Sequence, residues 1–409
     1  MATYFIIIIY LAFISLGLPD SLLGSAWPVM QLDYGAPLGM AGWLFMSIAA
    51  GTIVSSLASG TVVRRFGTGK VTLASCLMTA CALLGFSLTP SVIWLFLCTV
   101  PLGLGAGSVD AALNNYVAAH YKAHHMSWLH CFWGVGATLS PMVMAQFISG
   151  DGSWRQGYLT IAAIQFVLVL ILLISLPLWD KVARSTVSAM QDEPLSEDEG
   201  DMHGGAPVRP LHIRGVKLGL AAFLFYCGAE ATLGLWGSSF LVNVKDASPE
   251  MAAQATSLYF AGITIGRFIA GFITFKLSNR TLIRAGQITA LSGTLLLCLP
   301  LSSGFSMAAF MLVGLGLAPI YPSMLHETPL RFGKKHSQSI MGYQMAVAYT
   351  GSTFIPPLLG YLASSLSIAI LPLFILISVA AMMFSSERLN AFFSVNRTKD
   401  DGGAKSSLN

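Results

Sequence analysis

Three acidic residues, Asp20, Asp110 and Glu230, stand inside long apolar stretches of the 409-residue sequence. A charged side chain at the centre of a membrane helix costs about 2.5 to 3.5 kcal/mol on insertion scales, so such residues usually face a polar cavity and carry function. Proteins tune buried carboxyl groups for proton binding and release through burial and neighbouring charges. We therefore predict that these three acids take part in proton coupling. The alternative, an acid neutralised by a structural partner such as Arg267, stays open at this point.

Amide, imidazole and aromatic side chains in the same stretches could hold a polar solute. Asn114 follows Asp110 by four residues, so both project from one helix face, whereas Asn115 points about 100° away. Amides and carboxyl groups hydrogen-bond hydroxyl groups, and aromatic faces stack on sugar rings. His130 has a second interpretation, as a histidine satisfied by a helix neighbour. The predicted substrate contacts are Asn114, His130, Trp133, Trp27, Glu230, Trp236, Tyr321 and Gln344.

The composition requires a membrane around these residues. The chain is 55% hydrophobic and 10% charged, against about 25% charged in ordinary soluble domains. Twelve apolar runs are long enough to cross a bilayer, and one polar stretch separates the first six from the last six. We predict an N-terminal six-helix bundle at 1–180, a cytoplasmic linker at 181–215, a C-terminal six-helix bundle at 216–387 and a cytoplasmic tail at 388–409.

The basic residues predict the orientation. With both termini in the cytoplasm, only Arg155 and Lys245 of the 22 lysines and arginines fall outside, and Arg267 lies within a span. Cytoplasmic loops collect positive charge, so this partition favours an even number of spans and a multi-pass protein of the cell (inner) membrane. A net charge of +4 forms no basic patch, which argues against nucleic-acid binding. We expect no metal, no cofactor and no partner chain, since the sequence has no phosphate-binding motif and its cysteines have no metal-ligand spacing. For the cluster His120, His124 and His125, the positive charge of a cytoplasmic loop is favoured over a metal site, which stays open as the alternative.

The two halves repeat each other. Sliding the second half over the first by 211 positions lays Gly51 on Gly262 and the Gly-Leu-Gly of 103–105 on that of 314–316. Matches in one order at one offset indicate parallel structural repeats. The major facilitator transporters are built from two such six-helix repeats, with the substrate site between the halves.

Local motifs carry the resemblance to that superfamily further. Residues 60–67, Gly-Thr-Val-Val-Arg-Arg-Phe-Gly, look like its loop signature, in which glycine lets two helices approach and a basic residue caps the turn. The sequence departs from the signature at Arg64, where the family usually has aspartate. Arg65 could still pair with a helix C-terminus. We assign a conformational role to Gly60, Arg64, Arg65, Gly67 and Arg267.

One branch of the superfamily is matched more closely. The acid and amide Asp110 and Asn114, with Asp20 on the first helix, resemble the fucose:proton symporter group. The seventh helix around Glu230 and the tenth around Tyr321 are also similar to that group's patterns, although Pro19 and the ionisable Glu230 depart from them. The resemblance implies an all-α membrane protein of twelve transmembrane helices, arranged as two six-helix parallel repeats.

These observations favour a proton-coupled importer of a small polar solute, a hexose or related sugar, that works by alternating access as a monomer. Its partners would be the solute, the proton and the lipid bilayer. Three alternatives stay open: a proton-antiporting exporter of drugs or metabolites, an uncoupled facilitator, and a non-transporting receptor. Sodium could replace the proton, because carboxyl and amide oxygens suit it as well. A reaction on the solute is not expected, so we do not interpret the chain as an enzyme.

Overall fold

The computed structural model describes residues 2–121, 123–149, 152–192, 210–274 and 276–406, and these residues form α-helices joined by short turns. The helices are α1 (Ala2–Asp20), α2 (Leu22–Asp33), α3 (Met40–Phe66), α4 (Thr68–Leu88), α5 (Val92–His120), α6 (Ala123–Ile148), α7 (Trp154–Asp192), α8 (Val216–Val244), α9 (Pro249–Ile273), α10 (Asn279–Cys298), α11 (Ser303–Leu317), α12 (Ile320–Phe332), α13 (Lys334–Ser365) and α14 (Leu371–Ser406). The all-helical architecture agrees with the prediction.

Eleven membrane spans, rather than twelve, meet the criteria of length and apolar composition in the described residues. The predicted span 338–363 lies within α13, which is 32 residues long but too polar to qualify. Its polarity has a structural reason. One side of α13 packs on α8 and another on α3, so much of its surface faces protein rather than lipid.

The first predicted span, 3–30, is divided into α1 and α2 directly after Asp20. Pro19 has no N–H, so the carbonyl group of Ser15 loses its partner within the helix. The amide of Gln165 on α7 donates to that carbonyl at 3.0 Å instead. The carbonyl of Leu18 likewise accepts a hydrogen bond from the hydroxyl of Ser140 on α6. The break is therefore stabilised by neighbouring helices.

A second proline, in α6, adds a hydrogen bond between α6 and the α1–α2 break. Pro141 within α6 leaves the carbonyl group of Ala137 free, and the hydroxyl of Ser21 donates to it at 2.8 Å. Backbone groups inside a membrane must find partners within the protein, because lipid offers none. The α1–α6 crossing thus fixes the position of Asp20, the last residue of α1 before the break.

The glycine repeat predicted from the sequence corresponds to matching helix crossings. Gly51 of α3 lies against Gly103 of α5, with 3.2 Å between its Cβ position and the Gly103 Cα. Gly262 of α9 lies in the same way against Gly314 of α11, at 3.3 Å from its carbonyl carbon. A side chain at any of these four positions would separate the helices.

The helices form a first group, α1–α7, and a second group, α8–α14, that meet at one end. There the N–H of Gly39 donates to Ser364 Oγ at 3.0 Å, and the Cβ position of Gly42 lies 3.0 Å from the Pro357 Cα. We call this the closed end; the opposite end, which carries the α3–α4 turn at Gly67, is the open end. Between them α6 runs along α9, and the largest buried apolar cluster spans both groups.

The open end of the second group is held by ionic contacts. Glu327 of α12 accepts from Arg331 at 2.8 Å and lies 3.6 Å from Arg280 of α10. Arg331 also donates to Asn390 of α14 at 2.8 Å. Glu327 and Arg331 are both nearly buried, which makes their pairing structurally important.

The first group has aromatic residues in the places that correspond at the offset of 211. Tyr116, His120 and Trp179 stand where Glu327, Arg331 and Asn390 stand in the second group. The rings of Tyr116 and His120 stack at 4.2 Å, and the Tyr116 and Trp179 rings lie 5.6 Å apart. The repeats therefore share a backbone plan but not the chemistry of this end.

The predicted linker lies mostly outside the described residues. α7 continues to Asp192, beyond the predicted end of the sixth span, and residues 193–209 are not described. A 3₁₀ turn at Pro210–His212 precedes α8.

The hydrogen bonds that stabilise the α1–α2 break lead to a first prediction, on stability. Replacing Gln165 with Leu removes the donor to Ser15 and to Thr79 Oγ1, leaving a buried carbonyl group unpaired. We expect a loss of about 1 to 3 kcal/mol of stability, measured as a lower melting temperature in detergent. The matched control Gln156→Leu changes an exposed glutamine, and its effect should stay within about 0.5 kcal/mol. Equal melting temperatures for the two variants would contradict this interpretation of the break.

Candidate functional site

A cavity of about 330 Å³ lies between the two groups of helices, at the depth of the α1–α2 break. Both groups contribute to its wall, so a change in their relative position would change its shape. Its volume is at the lower end of the range of about 300 to 1,000 Å³ that is usual for small-molecule sites. The wall consists of Phe13, Leu16, Asp20, Thr52, Ala106, Asp110, His130, Trp133, Cys227, Glu230, Arg267, Tyr321 and Tyr349.

Asp20 faces this cavity from the end of α1. Its carboxylate accepts a hydrogen bond from the indole N–H of Trp133 on α6, at 2.7 Å. In the described part of the chain, no basic side chain forms an ion pair with it. The side chain is exposed to the space of the cavity although it lies in the middle of the helical assembly.

Asp110 lines the same cavity from α5. The amide of Asn114 donates to its Oδ1 at 2.8 Å and to its backbone carbonyl at 3.0 Å. The predicted common face of these two residues is therefore present. Asn114 is half-buried one turn further along the helix and is outside the cavity wall, so it orients the carboxyl group of Asp110.

Glu230 and Arg267 form an ion pair in the second group. Arg267 Nη2 lies 3.2 Å from Glu230 Oε1, and their side chains are 16% and 17% exposed. The Arg267 guanidinium group also lies 5.3 Å from the centre of the Trp133 ring. The alternative interpretation, an acid neutralised by Arg267, thus describes the geometry at Glu230, while Asp20 and Asp110 have hydrogen-bond donors only.

Two further predicted contacts reach the cavity. His130 lies one turn before Trp133 on α6, and its ring meets Phe13 edge-on at 5.8 Å. Tyr321 lies in the first turn of α12, after Pro319 separates α11 from α12. Its hydroxyl lies 3.0 Å from the sulfur of Met345. Both side chains face the cavity beside the carboxyl groups.

Three predicted contacts lie elsewhere, and their substrate role is not supported. Trp27 and Trp236 are fully buried near the closed end, where their N–H groups donate to the carbonyls of Leu38 and Pro356. Gln344 is buried inside the second group and accepts a hydrogen bond from Thr328. Each of these polar groups is satisfied by the protein, and none is part of the cavity wall.

The loop residues that were assigned a conformational role lie at the open end. Gly67 has φ of 82°, a backbone conformation that favours glycine, and its N–H caps α3 through the carbonyl of Val63. Arg64 and Arg65 occupy the last turn of α3, where positive charge suits the helix dipole. The expected helix contact at Gly60 is not found among the described residues, where a methyl group at this position would meet the side chain of Arg64 on the same helix, at 3.8 Å.

Sequence reasoning missed several wall residues. Thr52 and Tyr349 face the cavity from α3 and α13, and Phe13 and Leu16 from α1. For Phe13 and Leu16 a signal existed, because Phe13, Leu16 and Asp20 are spaced three and four apart and so share a face. For Tyr349 the signal was weaker: the low hydropathy of α13 indicates that part of this helix faces protein or a cavity rather than lipid.

Comparison with known proteins decides the family. A family model described as the Major Facilitator Superfamily matches residues 9–248 and 218–406, which is most of the chain. The chain belongs to the Major Facilitator Superfamily. Its homologues are multi-pass membrane transporters rather than enzymes.

Curated relatives of this superfamily member share about a quarter of their residues with it. Bypass of stop codon protein 6 of Saccharomyces cerevisiae is 24% identical over 69% of this chain and 61% of its own length. The chain thus spans less than two thirds of that relative. The glucose/mannose transporter GlcP of Bacillus subtilis is 25% identical over 71% of each chain.

Solved structures of the superfamily share the fold. The xylose transporter XylE from E. coli, in a partially occluded inward-open conformation, matches with a TM-score of 0.71 at 12% identity and covers 95% of this chain and 98% of its own. A bacterial homologue of the human lysosomal transporter Spinster matches with a TM-score of 0.70 at 14% identity, over 94% and 97% of the two chains. At these identities, the likeness extends to the fold alone.

The ion pair in the wall leads to a second prediction. Arg267→Met leaves Glu230 without a cation and should lower stability by about 2 to 3 kcal/mol, whereas the double variant with Glu230→Gln should recover most of that loss. Thermal unfolding in detergent measures both. The control Arg284→Met breaks the exposed pair of Arg284 (57% exposed) with Glu387 (34% exposed), and it should lower the melting temperature clearly less than Arg267→Met does. Full additivity of the two single changes would contradict a coupled pair.

Proposed function

We propose that this superfamily member is a proton-coupled importer of a small polar solute, a hexose or related sugar. The observation that carries the proposal is the pair of carboxyl groups, Asp20 and Asp110, that line the cavity without a basic partner in the described residues. Hydroxyl-rich solutes hydrogen-bond to such carboxyl groups and stack on faces like that of Trp133. The relationship to a glucose/mannose transporter supports the sugar class.

The moving units in this proposal are the bundles at 1–180 and 216–387, joined by the linker at 181–215 and followed by the tail at 388–409. Both termini lie in the cytoplasm, as the distribution of lysine and arginine favours. The open end then faces the cytoplasm, and the contact between Gly39 and Ser364 closes the outer end. The protein acts as a monomer in the inner membrane.

Coupling follows from the cost of moving charge. With Asp20 and Asp110 ionised, the first group carries negative charge into the middle of the membrane, which opposes its reorientation. Protonation from the outside neutralises that charge, the solute enters, and the groups rock so that both are released inside. A membrane potential adds about 2.3 kcal/mol per 100 mV for each charge moved, enough for more than tenfold accumulation. The Glu230–Arg267 pair weakens the case for an exporter of organic cations, because Glu230 already has its cation.

Transport by reconstituted protein tests the coupling. We expect Asp20→Asn and Asp110→Asn each to reduce uptake driven by a proton gradient at least about tenfold, while exchange of labelled sugar at equal pH continues. The matched control Asp246→Asn changes an exposed acid outside the cavity and should transport like wild type. Uphill uptake that survives in both single variants and in the double variant would show that the coupling assignment is wrong.

Ligand binding by the purified protein tests the substrate class separately. A solute that binds the folded state raises the free energy of unfolding, by about 2.7 kcal/mol at a hundredfold excess over its Kd. The melting temperature rises with it. We expect stabilisation by glucose, mannose, fucose or xylose, and none by tetraethylammonium as a cationic control. Trp133→Leu should abolish the shift, since it removes the aromatic face from the wall. Stabilisation by the cation alone would favour the exporter alternative.

A further inference from the structure

Trp133 makes two polar contacts that lead to different halves of the protein. Its indole N–H donates to Asp20 Oδ2 of the first group at 2.7 Å. The face of the same ring carries the guanidinium group of Arg267 from the second group, 5.3 Å from the ring centre. Arg267 in turn pairs with Glu230. One side chain therefore connects the carboxyl group of α1 with the ion pair between α8 and α9.

The part of α6 that carries Trp133 is packed closely on both groups, and the ring itself has an aromatic neighbour on α9. Gly17 of α1 lies directly against the backbone carbonyl of Trp133, and a side chain at position 17 would collide with it. Gly134 lies against the side chain of Thr264 on α9. Phe260 of α9 meets the indole edge-on at 6.2 Å. Because the backbone of α6 is closely packed, a rotation of the indole changes its contacts with Phe260 and Arg267 of α9, which belong to the second group.

We propose that Trp133 is a positioning residue that transmits the protonation state of Asp20 to the Glu230–Arg267 pair across the boundary between the two groups. The proposal deepens the proposed function and depends on its proton coupling. A charged carboxylate is a strong acceptor that fixes the indole N–H, and a protonated carboxyl group is a much weaker one. Once released, the indole can turn its face away from Arg267 and weaken the cation–π contact that joins α6 to α9.

Other titratable groups share the cavity with Asp20, and none replaces this contact. The charged ones are Asp110 of α5, Glu230 of α8 and Arg267 of α9; the remainder are His130 of α6, Cys227 of α8, Tyr321 of α12 and Tyr349 of α13. Within the described residues, the side-chain donor to the Asp20 carboxylate is Trp133 alone. The path from Asp20 to the second group therefore runs through the indole.

Trp133→Phe separates the two contacts, because phenylalanine keeps a ring for Arg267 but has no N–H for Asp20. The matched control is Trp94→Phe, at an exposed tryptophan on the outer surface of α5. Spin labels are attached at Val62 of the first group and Leu277 of the second, two exposed positions near the open end. Double electron–electron resonance then measures the distance between the groups. The protein is measured in liposomes, without solute, in acidic and in alkaline buffer, with the native cysteines replaced by alanine.

In wild type and in Trp94→Phe we expect the distance distribution to shift between the two buffers. Trp133→Phe should lose roughly half of that shift or more, and in an Asp20→Asn background it should change nothing further, because both substitutions cut the same path. Trp133→Phe should still unfold in one cooperative transition in detergent, as wild type does, which excludes simple misfolding.

Three results would overturn the proposal. A full shift in Trp133→Phe would show that the indole N–H does not transmit protonation. An effect of Trp133→Phe that adds fully to that of Asp20→Asn would indicate an independent packing role. A wild-type distribution that ignores pH would overturn proton coupling itself, and the proposed function with it, whereas the first two results leave that function standing.

Discussion

The need to pair every backbone group inside the membrane governs how this protein places its chemistry. Pro19 and Pro141 remove donors from two crossing helices, and side chains from neighbouring helices fill the gaps they leave. Gln165 and Ser21 are thus as important to the site as the acids themselves. Without these substitute donors, a helix broken at the depth of the cavity would leave carbonyl groups unpaired in lipid, and Asp20 would have no fixed direction.

The two groups of helices provide different partners for the acidic residues of the cavity. The first group presents Asp20 and Asp110 with neutral donors, an indole and an amide, so their charge is stabilised but not cancelled. The second group presents Glu230 with a cation already in place. In the proposed transport cycle, Asp20 and Asp110 can therefore change charge without breaking an ion pair, whereas the charge of Glu230 stays paired with Arg267.

Much of this arrangement was accessible from the sequence, and the missing part has a common cause. Hydropathy reveals an acid such as Asp110 because charge inside an apolar run is costly whatever its neighbours are. The glycine offset of 211 predicted parallel repeats, and the structure places glycines aligned by that offset, such as Gly51 and Gly262, at matching helix crossings. Residue type cannot give the rotation of each helix, however. Trp27 and Trp236 carry suitable chemistry, but their helices turn them towards the closed end, where they bond to carbonyl groups.

The difference between the open ends of the two repeats has a mechanical consequence. Charge-assisted hydrogen bonds such as that of Arg331 on α12 to Asn390 on α14 are directional, so the second group resists small sliding motions among its helices at this end. Ring contacts between helices, such as that of Tyr116 on α5 with Trp179 on α7, are less directional and persist when the rings slide past each other. The second group is therefore more rigid at this end than the first. If the two groups rock against each other as in the proposed cycle, the first group deforms more, mainly between α5 and α7.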